Sequence, residues 1–167
     1  VTPTADGQVT LDVPANAATA SATNGNTAAT QYSTTYDPTK PGITISGPTA
    51  PVNGPFTATF TFTEDVTGFA EADIAPFNST LSNFAATSAK VYTATVTPTA
   101  DGNVTLNVAV DKVIDSAGNG NTVASQYSVT YDATAPTVTI STPSSATNAP
   151  FTATFTFNED VTGFTDA

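Results

Sequence analysis

A chain of 167 residues with 14 acidic and 3 basic side chains carries a formal charge of −11, and such a surface repels phosphate backbones and anionic lipid, which argues against nucleic-acid binding and membrane association. With no Cys and no His there is no disulfide framework, no thiolate nucleophile and no ligand set for Zn2+. The 36 Thr, together with Val, Phe and Tyr, favour strands, while the long helix formers are scarce, so the composition predicts an all-β fold.

The chain is a repeat. Val1-Thr-Pro-Thr-Ala-Asp6-Gly7 matches Val96 to Gly102, Tyr36-Asp37 matches Tyr131-Asp132, and Pro55 to Phe69 returns almost letter for letter as Pro150 to Phe164. Every offset is 95, without a gap, and residues 1–72 laid on 96–167 give 46 identities. A fixed period means a structural module, and about 100 residues is the length of a β-sandwich rather than of a solenoid repeat. Three pieces follow: the end of one module (1–37), a complete module (38–132) and the start of another (133–167). Val1 already lies inside a repeat, so the chain reads as part of something longer.

In the complete module, the linker Asp37-Pro-Thr-Lys-Pro41 comes first, its prolines stiffening it. Ile43 to Ser46 is strand A. In strand B, Phe56 to Thr63, Phe and Ala alternate with Thr, the period of a strand with one face in a core. Ala70 to Ala86 holds strands C and D, with Ile74, Phe77, Leu81 and Phe84 supplying core side chains. Val91 to Thr97 is strand E, Asp101-Gly102 marks a turn, and Val104, Leu106, Val108 and Val110 alternate as strand F. A second turn spans Ser116 to Asn121, and Gln126 to Tyr131 is strand G. Tyr92, Tyr127 and Tyr131 are half-buried packing residues with hydroxyls at the rim. Seven short strands predict an immunoglobulin-like β-sandwich.

Strand direction sorts the acids by pole. Asp37, Glu64, Asp65, Asp111 and Asp115 gather at the entry pole, Asp6 of the preceding piece approaches the same junction, and Asp101 lies at the exit pole. Asp132, Glu159 and Asp160 repeat the set at the next junction. Converging carboxylates raise one another's pKa values unless a cation compensates, and Ca2+ takes six to eight oxygen ligands of this kind. The competing reading is of solubilising loop acids, with Asp37 and Asp132 capping turns before the linkers.

Catalysis finds no support. Glu64 and Asp65 are adjacent on a strand and point to opposite faces, and no His, Cys or Arg is present to serve beside them. Lys40, Lys90 and Lys112 are the candidates for Lys-Asn isopeptide cross-links, but Lys40 and Lys112 align with Ala135 and Ala17 and belong to no repeated motif. Asn78-Ser-Thr80 and Asn103-Val-Thr105 fit the N-glycosylation sequon, a frequent coincidence in Thr/Asn-rich chains.

Phe60-Thr-Phe-Thr-Glu64-Asp65-Val-Thr-Gly68-Phe69, Tyr92-Thr-Ala-Thr-Val-Thr-Pro98, Asp115-Ser-Ala-Gly-Asn119 and Tyr131-Asp132-Ala-Thr-Ala-Pro136 occur in this order, and the set resembles the bacterial Ig-like tandem repeats of large secreted surface adhesins and biofilm proteins. The resemblance implies an extracellular, cell-surface stalk or fibre built from neighbouring modules of the same chain, with Ca2+ at poles or junctions. In the first piece, Asn16 and Ala20 stand where the complete module has Asp111 and Asp115, which removes those ligands there. Two alternatives stand beside the structural spacer. One is a module that contacts carbohydrate or a cell-surface protein, which calls for an exposed aromatic patch that the strand-patterned aromatics do not offer. The other is self-association into fibres, because the end pieces together supply 72 of the 95 positions of a module.

Overall fold

The computed structural model describes residues 1–143 and 145–165. It is an all-β structure of four sheets. Strands β1 (Gly7–Leu11) and β2 (Tyr32–Tyr36) form an antiparallel pair. The central segment supplies β3 (Ile43–Ser46), β4 (Phe56–Phe62), β5 (Ile74–Phe77), β6 (Ser79–Ala86), β7 (Val91–Pro98), β8 (Gly102–Val108) and β9 (Tyr127–Tyr131). Strands β10 (Val138–Ser141) and β11 (Thr154–Phe157) form a second isolated pair. Among the described residues no helix is long and apolar enough to cross a membrane.

The central strands make a two-layer sandwich, with the order β3-β4-β7-β6 in one sheet and β5-β8-β9 in the other. The seven strands A to G thus divide as ABED and CFG, the constant-type immunoglobulin arrangement. Alternation in β4 sends Ala58, Phe60 and Phe62 inward, all nearly or fully buried, against Val104, Leu106 and Val108 of β8. The intervening Thr side chains face water and retain the strand propensity of a β-branched residue.

The core is closed at the entry pole by a loop residue. Gly68 (φ +90°) turns the chain after β4, a conformation that glycine adopts without a Cβ clash. Phe69 then folds back between the sheets, with ring centroids 5.6 Å from Phe60, 5.2 Å from Phe62 and 5.1 Å from Tyr92. These are edge-to-face contacts, the geometry that the ring quadrupoles favour.

Three expectations about side chains are corrected. Phe77 is exposed: β5 pairs Pro76 with Leu106 and Phe77 with Thr105, so Phe77 falls on the outer face while Ile74 points in. Strand β8 ends at Val108, and Val110 is half exposed in the following loop. Leu81 and Phe84 are partly buried against the core. Tyr92 and Tyr127 are more deeply buried than half, and their hydroxyls donate to the carbonyls of Val66 (3.4 Å) and Pro48 (2.7 Å). Burial pushes the Tyr127 hydroxyl above its ordinary pKa.

The two end pairs copy the central registers. Gly7 faces Tyr36 as Gly102 faces Tyr131, and Ile140 faces Phe155 as Ile45 faces Phe60.

Candidate metal centre at the entry pole

The entry pole is built by three segments: the linker before β3, the loop after β4 and the loop between β8 and β9. The last is held by Asn121, which is fully buried. Its Oδ1 accepts the N–H groups of Lys112 (2.7 Å) and Val113 (3.1 Å), and its Nδ2 donates to the carbonyls of Ala109 (2.9 Å) and Thr122 (2.7 Å). One side chain satisfies four backbone groups that the loop cannot pair with a neighbouring strand. Asn26 does the same in the first piece, accepting from Ala18 and donating to Pro14 and Thr27.

Asp115 organises the tip of this loop. Its Oδ1 accepts from the N–H groups of Ala117 (2.7 Å) and Asn119 (2.9 Å), and its Oδ2 from Asn119 Nδ2 (2.8 Å). Asp115 is 5% exposed. Burial alone would raise its pKa, but the bonds from Asn119, Ala117 and Gly118 outweigh that and hold the carboxyl below the ordinary aspartate value.

Three of the anticipated acids meet here. Asp37, Glu64 and Asp115 each place a carboxylate oxygen within 4.8 Å of the others. Glu64 is held above the usual glutamate value, first by burial and then by the negative charges of Asp115 and Asp37, with Lys90 partly offsetting them. Asp6 lines the same cleft and adds a weaker repulsion, and its Oδ2 accepts the Thr39 hydroxyl at 2.6 Å.

The other anticipated acids lie elsewhere. Asp65 is exposed and stands outside the cluster; β4 ends at Phe62, so Glu64 and Asp65 lie in the loop after it and not on a strand as the alternation suggests. Asp111 adopts a positive φ (57°) and faces Lys40 at 3.7 Å. Asp101 is at the exit pole, where it accepts from Ala133 N (2.9 Å) and the Thr134 hydroxyl. Those two bonds hold its carboxyl below the ordinary aspartate value. Asp132 caps its own turn through Thr134 N as Asp37 does through Thr39 N, both at 3.0 Å. Glu159, the copy of Glu64, has a buried Oε1 that accepts no hydrogen bond among the described residues, and Asp160 is exposed.

The donor set suits a hard cation. Three carboxylates offer three to six oxygens, and a calcium ion completes its shell with carbonyls or water; the mutual repulsion recorded at Glu64 is what a cation would relieve. Lys40 and Lys112 face carboxylates, the latter Asp73 at 3.9 Å, as exposed ion pairs rather than as partners of Asn. Asn78 spends its amide on the backbone: Nδ2 donates to the carbonyls of Ala100 (2.7 Å) and Asn103 (3.3 Å) at the exit pole.

The signals that escaped the sequence reading were Phe69, Asn121 and Asn119. Asn119 was hidden in an ordinary Gly-Asn turn, yet its Nδ2 also donates to the main-chain oxygen of Asp37 at 2.8 Å, across 82 residues.

A family model described as a bacterial Ig-like domain matches residues 35–131, more than half of the chain. The chain belongs to the bacterial Ig-like domain family. Domains of this family are structural modules typical of extracellular or surface-exposed proteins and are in general not catalytic. No match was found among curated proteins or among solved structures.

Proposed function

We propose that this Ig-like chain is a structural spacer, a run of tandem modules in the stalk of an extracellular bacterial adhesin or surface fibre. Its task is mechanical reach, and its partners are the neighbouring modules of the same chain. What carries this reading is the way the linker is stitched to the chain on both sides of it, by Asp6 to the preceding piece and by the other three bonds to the module that follows. Asn119 holds the Asp37 carbonyl, Asp6 holds the Thr39 hydroxyl, Thr122 N donates to the buried Pro41 carbonyl at 2.8 Å, and Gly42 N donates to Thr63 Oγ1 at 2.9 Å. Two prolines remove further freedom. A linker tied at four successive points resists bending, which a spacer needs and a loosely tethered binding domain does not.

Calcium stiffens the junction in this account, with Asp37, Glu64 and Asp115 holding the ion. An ion there would bind the linker, the loop after β4 and the loop before β9 to one another, adding to the existing hydrogen bonds. Small-angle scattering of the full chain tests the spacer reading. A profile fitted by one extended shape supports it, and a profile that requires a broad set of bent shapes contradicts it.

A further inference from the structure

The complete module contains two Asn-Gly pairs, Asn53–Gly54 and Asn119–Gly120. Glycine has no Cβ to shield its nitrogen, so in such a pair the asparagine side chain is most open to attack by the next main-chain nitrogen. The two pairs differ in how they are held. Asn119 is locked: its Nδ2 donates to the Asp37 carbonyl and to Asp115 Oδ2, both at 2.8 Å, and its N–H donates to Asp115 Oδ1 at 2.9 Å. A carboxamide pinned in this way cannot swing its Cγ onto Gly120 N. Asn53 is exposed, and neither its amide nor the Gly54 N–H has a hydrogen-bond partner among the described residues.

We propose that Asn53–Gly54 is a self-modifying site, at which the asparagine converts to isoaspartate and aspartate and thereby loosens the exit end of the module. Gly54 N attacks Asn53 Cγ. The new N–Cγ bond closes a succinimide as the Cγ–Nδ2 bond breaks, and Nδ2 leaves as ammonia with the proton that Gly54 N gives up. Water then opens the ring. Attack at Cγ yields aspartate, and attack at the Asn53 main-chain carbonyl yields isoaspartate, with the backbone running through Cβ and Cγ. No enzyme, cation or oxidant takes part.

The position gives the change its effect. Val52, the residue before, packs against the core and carries the bridge from the loop between β3 and β4 to the end of β9: its N–H donates to the Thr130 carbonyl and its own carbonyl accepts from Asp132 N, both at 2.9 Å. On the other side Phe56 starts β4, paired with Val96 of β7 and with its ring 6.1 Å from that of Tyr127. An isoaspartyl link lengthens the chain between these two anchors by a methylene. Strand β4 lies between β3 and β7 and cannot shift alone, so Val52 gives way. Asp132, where the exit linker begins, then loses its main-chain partner. Either product also adds a negative charge next to a bridge that ends at Asp132.

Peptide mass spectrometry of the full chain, held in warm, mildly alkaline buffer with chelator, tests the proposal. Asn53 should take on the mass of an acid in place of an amide, as a mixture of isoaspartate and aspartate, while Asn119 stays an amide. In denaturant, where Asp37 and Asp115 no longer hold it, Asn119 should convert as fast as Asn53. Gly54→Ala, whose Cβ meets no atom within 4 Å, should fold as before and keep Asn53 intact over the same time. In the converted chain the Asp132 amide should exchange about tenfold faster, as loss of one main-chain hydrogen bond predicts. Equal conversion of Asn53 and Asn119 in the folded chain, an Asn119 inert in denaturant, conversion of Gly54→Ala at the wild-type rate, or unchanged exchange at Asp132 would overturn it.

Discussion

Asn119 Nδ2 reaches back over the top of the sandwich to the main-chain oxygen of Asp37, 2.8 Å away. It couples the loop before β9 to the linker that enters the module, and it does so beside the three carboxylates. Asn119→Ala leaves the Asp37 carbonyl without this partner. The expected cost is about 1 kcal/mol for that bond, with faster hydrogen exchange at Thr39 and Lys40 than in the wild type. Unchanged exchange at both amides would show that the linker is held without it.

The core should respond to truncation by position rather than by residue type. Phe60→Ala removes a fully buried ring, and a loss of about 3–5 kcal/mol is expected. Phe77→Ala, on the outer face, should change stability by no more than about 0.5 kcal/mol. Chemical denaturation of the two variants checks the contrast, and equal losses would reverse the assigned faces of β5.

Much of this was legible in the residues. The alternation in Phe56 to Phe62 and in Val104 to Val108 identifies inward faces because a strand has only two sides, and the 95-residue offset places equivalent strands without reference to anything outside the chain. Strand direction alone brings Asp37, Glu64 and Asp115 to one pole. What the pattern could not provide was depth and loop path. Phe77 looks like a core residue by type, but its face depends on the β5 register against β8, a long-range property. Asp65 and Asp111 share the pole yet miss the cluster, because regular strand geometry stops at Phe62 and Asp65 is left exposed in the loop, while Asp111 turns through a positive φ toward Lys40. Asn121 gives no signal by periodicity, since its role is to pair the backbone of an irregular loop.

The exit linker should be sensitive to acid. Asp101 has a folded pKa below its ordinary value of 3.8, so its contribution is present above that value and is lost as pH falls through the lower folded pKa. The amide of Ala133, which donates to Asp101 Oδ1, should report this step by NMR titration, and Asp101→Asn should abolish it. Asp6 at the preceding junction bonds the Thr39 hydroxyl alone, since residue 38 is Pro and has no N–H to match that of Ala133. A titration curve at the Ala133 amide that is the same with and without the Asp101 carboxyl would contradict the assignment.

Calcium titrated calorimetrically into the chain should bind in the range of extracellular modules, about 10⁻⁴–10⁻³ M. At ten times the dissociation constant the gain in stability is about 1.4 kcal/mol, seen as a higher melting temperature that chelator reverses. Glu64→Gln should weaken binding by tenfold or more, while Asp65→Asn, outside the cluster, should leave it within twofold. No heat at millimolar calcium, or equal effects of the two variants, would remove the ion from the account.

The most direct test of the spacer reading is backbone ¹⁵N relaxation at the linker amides Thr39 and Lys40. A linker fixed to the module that follows predicts order parameters near those of the strands, about 0.8 or above. Values below about 0.6, the range of flexible segments, would mean that adjacent modules swing freely and would contradict a semi-rigid stalk.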